Sequence, residues 1–280
     1  MAIVSKGSGG SIRFTGTGGG IHITSSGGGA GGGGGGGPTD PSLTSLMAWY
    51  RADDIGLSNG GSVTGWVDRQ GPSDLTRALN GNAIYNASNS DFNNRPTVNF
   101  DAGQKQLDTY DNALFNFGPQ LAGNTIIVVV KPTYSPIFGF ERIIEVEGAY
   151  PNFGQGYSIY QGNFGGASIF SQGSNSSGRI TKTVEPNKAL ILYLSYEYGT
   201  IATQNTLQIF GGVSIYQESQ SYPGIGTSPE MSIAPAGRLI VGGASPGADI
   251  AEILYYNAVQ GAQEKTDTIA YLASRYGISV

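Results

Sequence analysis

The sequence predicts an all-β protein: an antiparallel jelly-roll β-sandwich with one C-terminal amphipathic helix, preceded by a glycine-rich extended arm. Three observations lead there. Short apolar runs of strand length recur through residues 43–280 with Gly, Asn, Pro and Ser between them. Near the C-terminus Ile269, Leu272, Ala273 and Tyr276 fall at i, i+3, i+4 and i+7. Finally, 17 of the 46 glycines lie in residues 1–37, where too few side chains remain to bury a core.

The first element is therefore an arm, residues 1–42. Two alternating runs, Ser11-Ile12-Arg13-Phe14-Thr15 and Ile21-His22-Ile23-Thr24, predict a β-hairpin over residues 11–24 with Ile12, Phe14, Ile21 and Ile23 on one face. A lone two-stranded hairpin is marginal in water, so these four residues would be anchoring and assembly residues, packed on another surface or on copies of themselves. The competing expectation is an unstructured tail. The glycine tract from Gly27 to Gly37 spans about 18 Å as a flexible coil, or packs as polyglycine helices in a symmetric assembly, and Pro38 and Pro41 stiffen its exit.

Residues 43–280 form the second domain, for which at least ten strands are needed. The runs read as strands are Val63 to Asp68, Thr97 to Asp101, Thr125 to Lys131, Arg142 to Glu147, Tyr157 to Gln161, Ala167 to Ser171, Arg179 to Val184, Leu190 to Tyr198, Thr206 to Tyr216, Arg238 to Gly242 and Asp249 to Tyr256. In Thr206 to Tyr216, Leu207, Ile209, Val213 and Ile215 share a parity, with Gly211-Gly212 as a bend or bulge. Leu43 to Tyr50 reads as a short helical turn, and Gly277 stops the C-terminal helix. No repeat of fixed period is present, which argues against a propeller or solenoid.

Composition narrows the chemistry. With no cysteine there are no disulfides, thiolate metal sites or cysteine nucleophiles. A net charge of −5 from 15 basic and 20 acidic residues, without a basic run, argues against nucleic acid as a partner. The longest apolar run, Ile126 to Val130, is too short to span a bilayer, and the N-terminus shows no recognisable export signal. The one histidine, His22, lies in the arm, so the sandwich has no Ser-His-Asp triad and no multi-histidine zinc site.

Several segments in order resemble concanavalin A-like or laminin-G-like jelly-roll domains of bacterial surface and phage proteins. They are Leu46-Met47-Ala48-Trp49-Tyr50-Arg51-Ala52-Asp53-Asp54-Ile55-Gly56-Leu57, Val63-Thr64-Gly65-Trp66-Val67-Asp68-Arg69-Gln70-Gly71, Arg95-Pro96-Thr97-Val98-Asn99-Phe100-Asp101, Thr125 to Pro132, Ile250 to Asn257 and Tyr271 to Ile278. The resemblance implies that Trp49 and Trp66 fill the sandwich, that Val98 and Phe100 point inward, and that the last strand hands over to a packed helix. With the leaderless arm, it also resembles a virion protein of a tailed bacteriophage.

The leading expectation is thus a non-enzymatic virion structural protein, a capsid decoration, head fibre or tail-fibre adhesion module. It would assemble in the host cytoplasm, contact other virion proteins through its arm as a homotrimer, and be exposed on the particle surface without membrane insertion. The alternative is a receptor-binding module for a host surface polysaccharide, with aromatic and amide groups of Tyr150, Asn152, Tyr157 and Tyr160 as sugar contacts. Tyrosine is equally a favoured strand residue. The third is a glycan hydrolase using Glu145 and Glu147, alternate positions on one strand; two solvated glutamates account for the same pattern. No catalytic or metal residues and no cofactor are assigned. Calcium donors, if any, would come from Asp53-Asp54, Asp108 with Asp111, or the loop from Asn86 to Asn94, although Asp53 and Asp68 read better as groups fixing backbone amides.

Overall fold

The structure, a computed structural model, describes residues 6–7, 10–11, 40–71, 73–100, 105–109, 123–133, 141–148, 156–163, 167–173, 180–185, 187–198, 202–212, 216–223, 237–243 and 247–280. They divide into two units, Met1–Gly37 and Pro38–Val280. In the first, β1 (Lys6–Gly7) and β2 (Gly10–Ser11) pair antiparallel, with Lys6 opposite Ser11 and Gly7 opposite Gly10. Apart from Ser11, the hairpin expected over residues 11–24, with Ile12, Phe14, Ile21 and Ile23, lies outside the described residues, as does the glycine tract.

The second unit holds β3 (Leu46–Arg51), β4 (Ser62–Val63), β5 (Arg77–Leu79), β6 (Ala83–Asn89), β7 (Arg95–Asn99), β8 (Gln106–Asp108), β9 (Gly123–Pro132), β10 (Glu141–Gly148), β11 (Gly156–Asn163), β12 (Ala167–Gly173), β13 (Ile180–Thr183), β14 (Leu190–Tyr198), β15 (Ala202–Phe210), β16 (Tyr216–Pro223), β17 (Gly237–Gly242), β18 (Ala248–Tyr256) and α1 (Ala262–Tyr276). One sheet has seven strands in the order β13-β12-β11-β10-β17-β8-β5. The other has nine, in the order β16-β15-β14-β9-β18-β7-β6-β4, with β3 also on β18. Every pairing among the described residues is antiparallel, which makes the domain an all-β sandwich with a single C-terminal helix.

Two apolar layers hold it together. Ile126, Val128 and Val130 of β9 join Ile144, Val146, Ile159, Leu239 and Val241 of the seven-stranded sheet in the layer between the sheets. The alternate positions Ile127 and Val129 join Leu272 and Tyr276 of α1 in a layer on the other side of β9. Burial on both faces explains why β9 reads as an unbroken apolar run, and each fully buried side chain of this size is worth about 1.5–3 kcal/mol. Helix α1 begins earlier than its apolar positions suggest, with Glu264 accepting from the Gly261 amide at 3.3 Å. It ends at Gly277, whose φ of +66° and bond to the Ala273 carbonyl form the expected stop.

Val98, Phe100 and Trp66 lie between the sheets as the resemblance implies. Trp49 does not: it belongs to the layer under α1. Leu43 to Tyr50 is not a helical turn either, because residues 46–51 pair with β18, sending Ala48 and Tyr50 to one apolar layer and Leu46 and Trp49 to the other. The run from Thr206 to Tyr216 is two strands: Ile209 faces Tyr216 across a hairpin closed near Gly211. Gly211 has φ +100°, and a Cβ there would stand 2.7 Å from the Ala189 oxygen and 2.8 Å from the Ile278 side chain, so the glycine makes the turn.

Candidate ligand face

A two-sheet sandwich has two outer faces. That of the nine-stranded sheet is apolar at its centre and covered there by α1. The outer face of the seven-stranded sheet carries instead the residues that alternate with Ile144, Val146, Ile159, Leu239, Val241 and Leu107. On β10 these are Glu145 and Glu147, on β17 Arg238 and Ile240, on β8 Gln106 and Asp108, on β5 Arg77, and on β11 Ser158 and Tyr160.

Register brings them together. Glu145 stands opposite Ser158 on one side and Ile240 on the other, and Ile240 stands opposite Asp108. Glu147 is opposite Arg238, Arg77 is opposite Asp108, and Tyr160 is opposite Arg142. A register shift between Arg142 and Ile144 places the Arg142 guanidinium 2.5 Å from the Glu145 carboxylate. Gln106 Nε2 donates to Asp108 at 3.3 Å, and Arg238 lies 3.8 Å from the same carboxylate. Glu145 keeps 13% side-chain exposure and Asp108 none. At the end of β17, a Cβ on Gly243 would sit 3.1 Å from both Arg142 Nη1 and Gln106 Oε1, so the bare backbone lets these two side chains close over it. The face thus offers the partly exposed Glu145 carboxylate, guanidinium donors and a half-buried Tyr160 ring over the buried Asp108, groups that suit polyhydroxylated ligands.

Of the sugar contacts expected from the sequence, only Tyr160 is placed here. Tyr157 stands opposite Val146, on the parity of Ile159, so positions 157 and 160 belong to opposite faces of β11. Tyr150 and Asn152 lie outside the described residues, as does His22. Asp108, Gln106, Arg142 and Arg238 were not foreseen as partners. They come from strands far apart in sequence, and β8 is three residues long.

The calcium candidates have other occupations. Asp53 accepts from Arg275 at 2.7 Å and Arg95 at 3.4 Å, rather than from backbone amides, and Asp54 takes Arg51 at 3.0 Å and Arg69 at 2.8 Å. Asp68 does fix amides, those of Trp49 at 2.8 Å and Gln70 at 2.9 Å. The segment from Asn86 to Asn94 is mostly β6 and a short 3-10 turn, Ser90–Phe92, capped by Asn89. Asp111 lies outside the described residues. Among the described residues no group of three or more His, Cys, Asp or Glu side chains is gathered as a metal site.

A second polar cluster is structural. Glu252 is fully buried under α1, where its carboxylate accepts from Trp49 Nε1 at 2.5 Å, Tyr276 OH at 2.7 Å and Tyr271 OH at 3.3 Å, with Arg275 at 3.6 Å. A register shift in β18 between Ile250 and Glu252 turns this side chain toward the helix instead of into the sandwich. Burial pushes its carboxyl up, against the hydrogen bonds from Tyr276 and Trp49 and the nearby arginines.

No protein-family model matches the chain, and no curated protein matches it in sequence. Solved structures do share its fold. A GH54 α-L-arabinofuranosidase soaked with 4-nitrophenyl α-L-arabinofuranoside superposes with a TM-score of 0.56 at 13% identity, over 87% of this chain and 63% of that one. An arabinofuranosidase complexed with arabinofuranosyl-α-1,2-xylobiose gives 0.54 at 13% identity, over 86% and 61%. The binding domain of botulinum neurotoxin DC in complex with SialylT gives 0.52 at 11% identity, over 83% and 52%. The chain therefore spans less than two thirds of the length of these structures. At such identities the likeness establishes the β-sandwich fold. It also corrects the expectation of a protein without enzymatic activity, because glycoside hydrolases are among the structures that share this fold.

Proposed function

We propose that the chain is a carbohydrate-engaging β-sandwich carried on a bacteriophage particle, with the glycan held on the outer face of the seven-stranded sheet. The observation that carries this reading is the arrangement of Arg142, Glu145, Gln106, Asp108, Arg238 and Tyr160 on the one sheet face whose centre α1 does not cover. The fold shared with a carbohydrate-soaked hydrolase supports it. A glycan array probed with the full chain tests it. Tyr160→Ala is expected to cost about tenfold in affinity, from a lost stacking contact worth on the order of 1–1.5 kcal/mol, with the unfolding midpoint little changed. Unaltered binding in Tyr160→Ala and Glu145→Gln would remove this face as the site.

Cleavage of the bound glycan is favoured by one further observation. Glu145 and Glu147 occupy alternate positions on β10, the placement that sets two carboxylates on one side of a strand. Release of reducing ends that disappears in Glu145→Gln would establish it; release that survives the change would exclude Glu145 as a catalytic residue.

For display on the particle, support comes from the separation of Met1–Gly37 from Pro38–Val280 as distinct units and from the arm's composition. The arm would contact other virion proteins and join three copies. Deleting residues 1–37 is expected to leave a cooperatively melting β domain that no longer incorporates into particles. Normal incorporation of the truncated protein would refute the anchoring role.

A further inference from the structure

We infer that the domain has a second ligand site, a cleft at the end of α1 that takes one neutral, polyhydroxylated ring, a single sugar unit. It shares no residue with the sheet face described above. The cleft has a volume of about 280 Å³ and is lined by four stretches far apart in sequence: Asp91 of the 3-10 turn, residues 187–189 before β14, residues 211–212 after β15 and residues 277–279 after α1. None of them belongs to a strand of the seven-stranded sheet.

Asp91 is fixed before any ligand arrives. Its amide donates to Asn89 Oδ1 at 3.1 Å, and its Oδ2 accepts from Lys131 Nζ at 2.9 Å. Lys131 also lies 3.4 Å from Asp249, whose carboxylate accepts from Asn99 at 2.7 Å and from Asn89 at 3.2 Å. Asn89 and Asp249 are buried, yet the Asp91 side chain keeps 47% exposure. An ordinary surface acid must give up rotamer freedom on binding. One backed by a buried amide and carboxylate network has already done so.

The rest of the lining supplies both senses of hydrogen bond. Asn187, exposed and held at a left-handed φ of +56°, carries an amide, and Ser279, also exposed, a hydroxyl. The Lys188 ammonium gives one N–H to Glu185 at 2.7 Å, keeps 44% side-chain exposure and has two further N–H groups. Gly211 and Gly212 line the cleft without side chains, so a ligand can approach their backbone. Ala189 and Ile278 are the apolar part of the lining. A phosphate would be repelled by Asp91 and a metal ion by Lys188, so a simple ion of either sign suits the site poorly. Hydroxyls both donate and accept. A sugar ring can therefore serve carboxylate, ammonium, amide and hydroxyl together, with its C–H groups against Ile278 and Ala189. The volume, near the lower bound of about 300 Å³ for ligand pockets, holds one ring and not an oligomer.

The test titrates the ¹⁵N-labelled full chain with a panel of neutral hexoses and pentoses, with L-alanine as a zwitterion and with inorganic phosphate, reading the amide resonances of Gly211, Gly212, Gly277 and Ser279. At least one neutral sugar should shift them saturably, and L-alanine and phosphate should not. Asp91→Ala should weaken that sugar at least about tenfold, as expected for the loss of a hydrogen bond to a charged group. Ser279→Trp, which fills the cleft, should abolish the shifts, and Tyr160→Ala should leave them unchanged. Shifts with no sugar, or with L-alanine or phosphate instead, would overturn the inference, as would shifts that persist in both cleft variants. Loss of the shifts in Tyr160→Ala would assign the sugar to the sheet face alone, overturning the second site while leaving the first standing.

Discussion

Replacing Glu252 with alanine is expected to lower the unfolding midpoint by on the order of 10 °C. The carboxylate accepts from Trp49 of β3 and from Tyr276 and Tyr271 of α1, and it lies against Arg275. Its removal leaves these donors and a half-buried guanidinium facing a void, and breaking such a buried cluster costs about 3–5 kcal/mol, each kcal/mol being worth about 2–4 °C in a domain of this size. Glu252→Gln keeps the shape and isolates the charge. Because burial raises the Glu252 carboxyl above its ordinary 4.5, the folded state binds its proton more readily than the unfolded chain does. The stabilising contribution is therefore present in full below the unfolded value and is lost as pH rises through the folded one. Wild type should gain stability relative to Glu252→Gln as pH falls toward 4.5, measured by urea melts at each pH. An unfolding midpoint unchanged in Glu252→Ala would mean that β3 and α1 are held by apolar contact alone.

Gly242→Ala is expected to be the second most damaging change, at about 3 kcal/mol. Gly242 has φ +76°, and a Cβ there would run into the Phe100 ring and stand 2.6 Å from the Lys105 carbonyl oxygen. The left-handed backbone costs an alanine about 1–2 kcal/mol, and forcing a methyl into a packed core adds about 1–3 kcal/mol. Gly60→Ala separates the two effects: its φ is +80°, with nothing within 4 Å of the added Cβ, so it should show the backbone cost alone. Since Gly242 precedes the residue over which Arg142 and Gln106 close, its alanine variant should also bind glycan more weakly, whereas Gly60→Ala should bind normally. Equal losses in the two variants would sink the steric account.

The sequence was most readable where one residue type had one physical cause. The alternation in β7, with Val98 inward, and the i, i+3, i+4, i+7 spacing of α1 needed only local burial. It was misread where burial came from two sides. Leu46–Arg51 shows no alternation because Ala48 and Tyr50 meet one apolar layer while Leu46 and Trp49 meet the other. The bulge before Glu252 left no trace either, since all of β18 is buried. As for the candidate face, Tyr160 and Glu145 were visible as residue types. Their grouping with Asp108 and Arg238 depends on the strand order β10-β17-β8, which pairs Glu145 with Ile240 and Ile240 with Asp108 across long stretches of chain and has no local signature. Pairing Tyr157 with Tyr160 failed on parity alone.

The pairing of β3 with β18 also bears on how the domain comes to be made. The strand pairing of residues 46–51 is made with residues 252–256, and the Ser42 hydroxyl reaches Glu264 across 222 positions. On a ribosome, β3 emerges about two hundred residues before β18 and must wait for it before that edge is paired. Contacts of such sequence separation put loop closure ahead of reward and place folding toward the slow end for a β protein. Until β18 is made, the β3 strand edge stands without its ladder, so the nascent chain is the form of this protein most exposed to association with its neighbours.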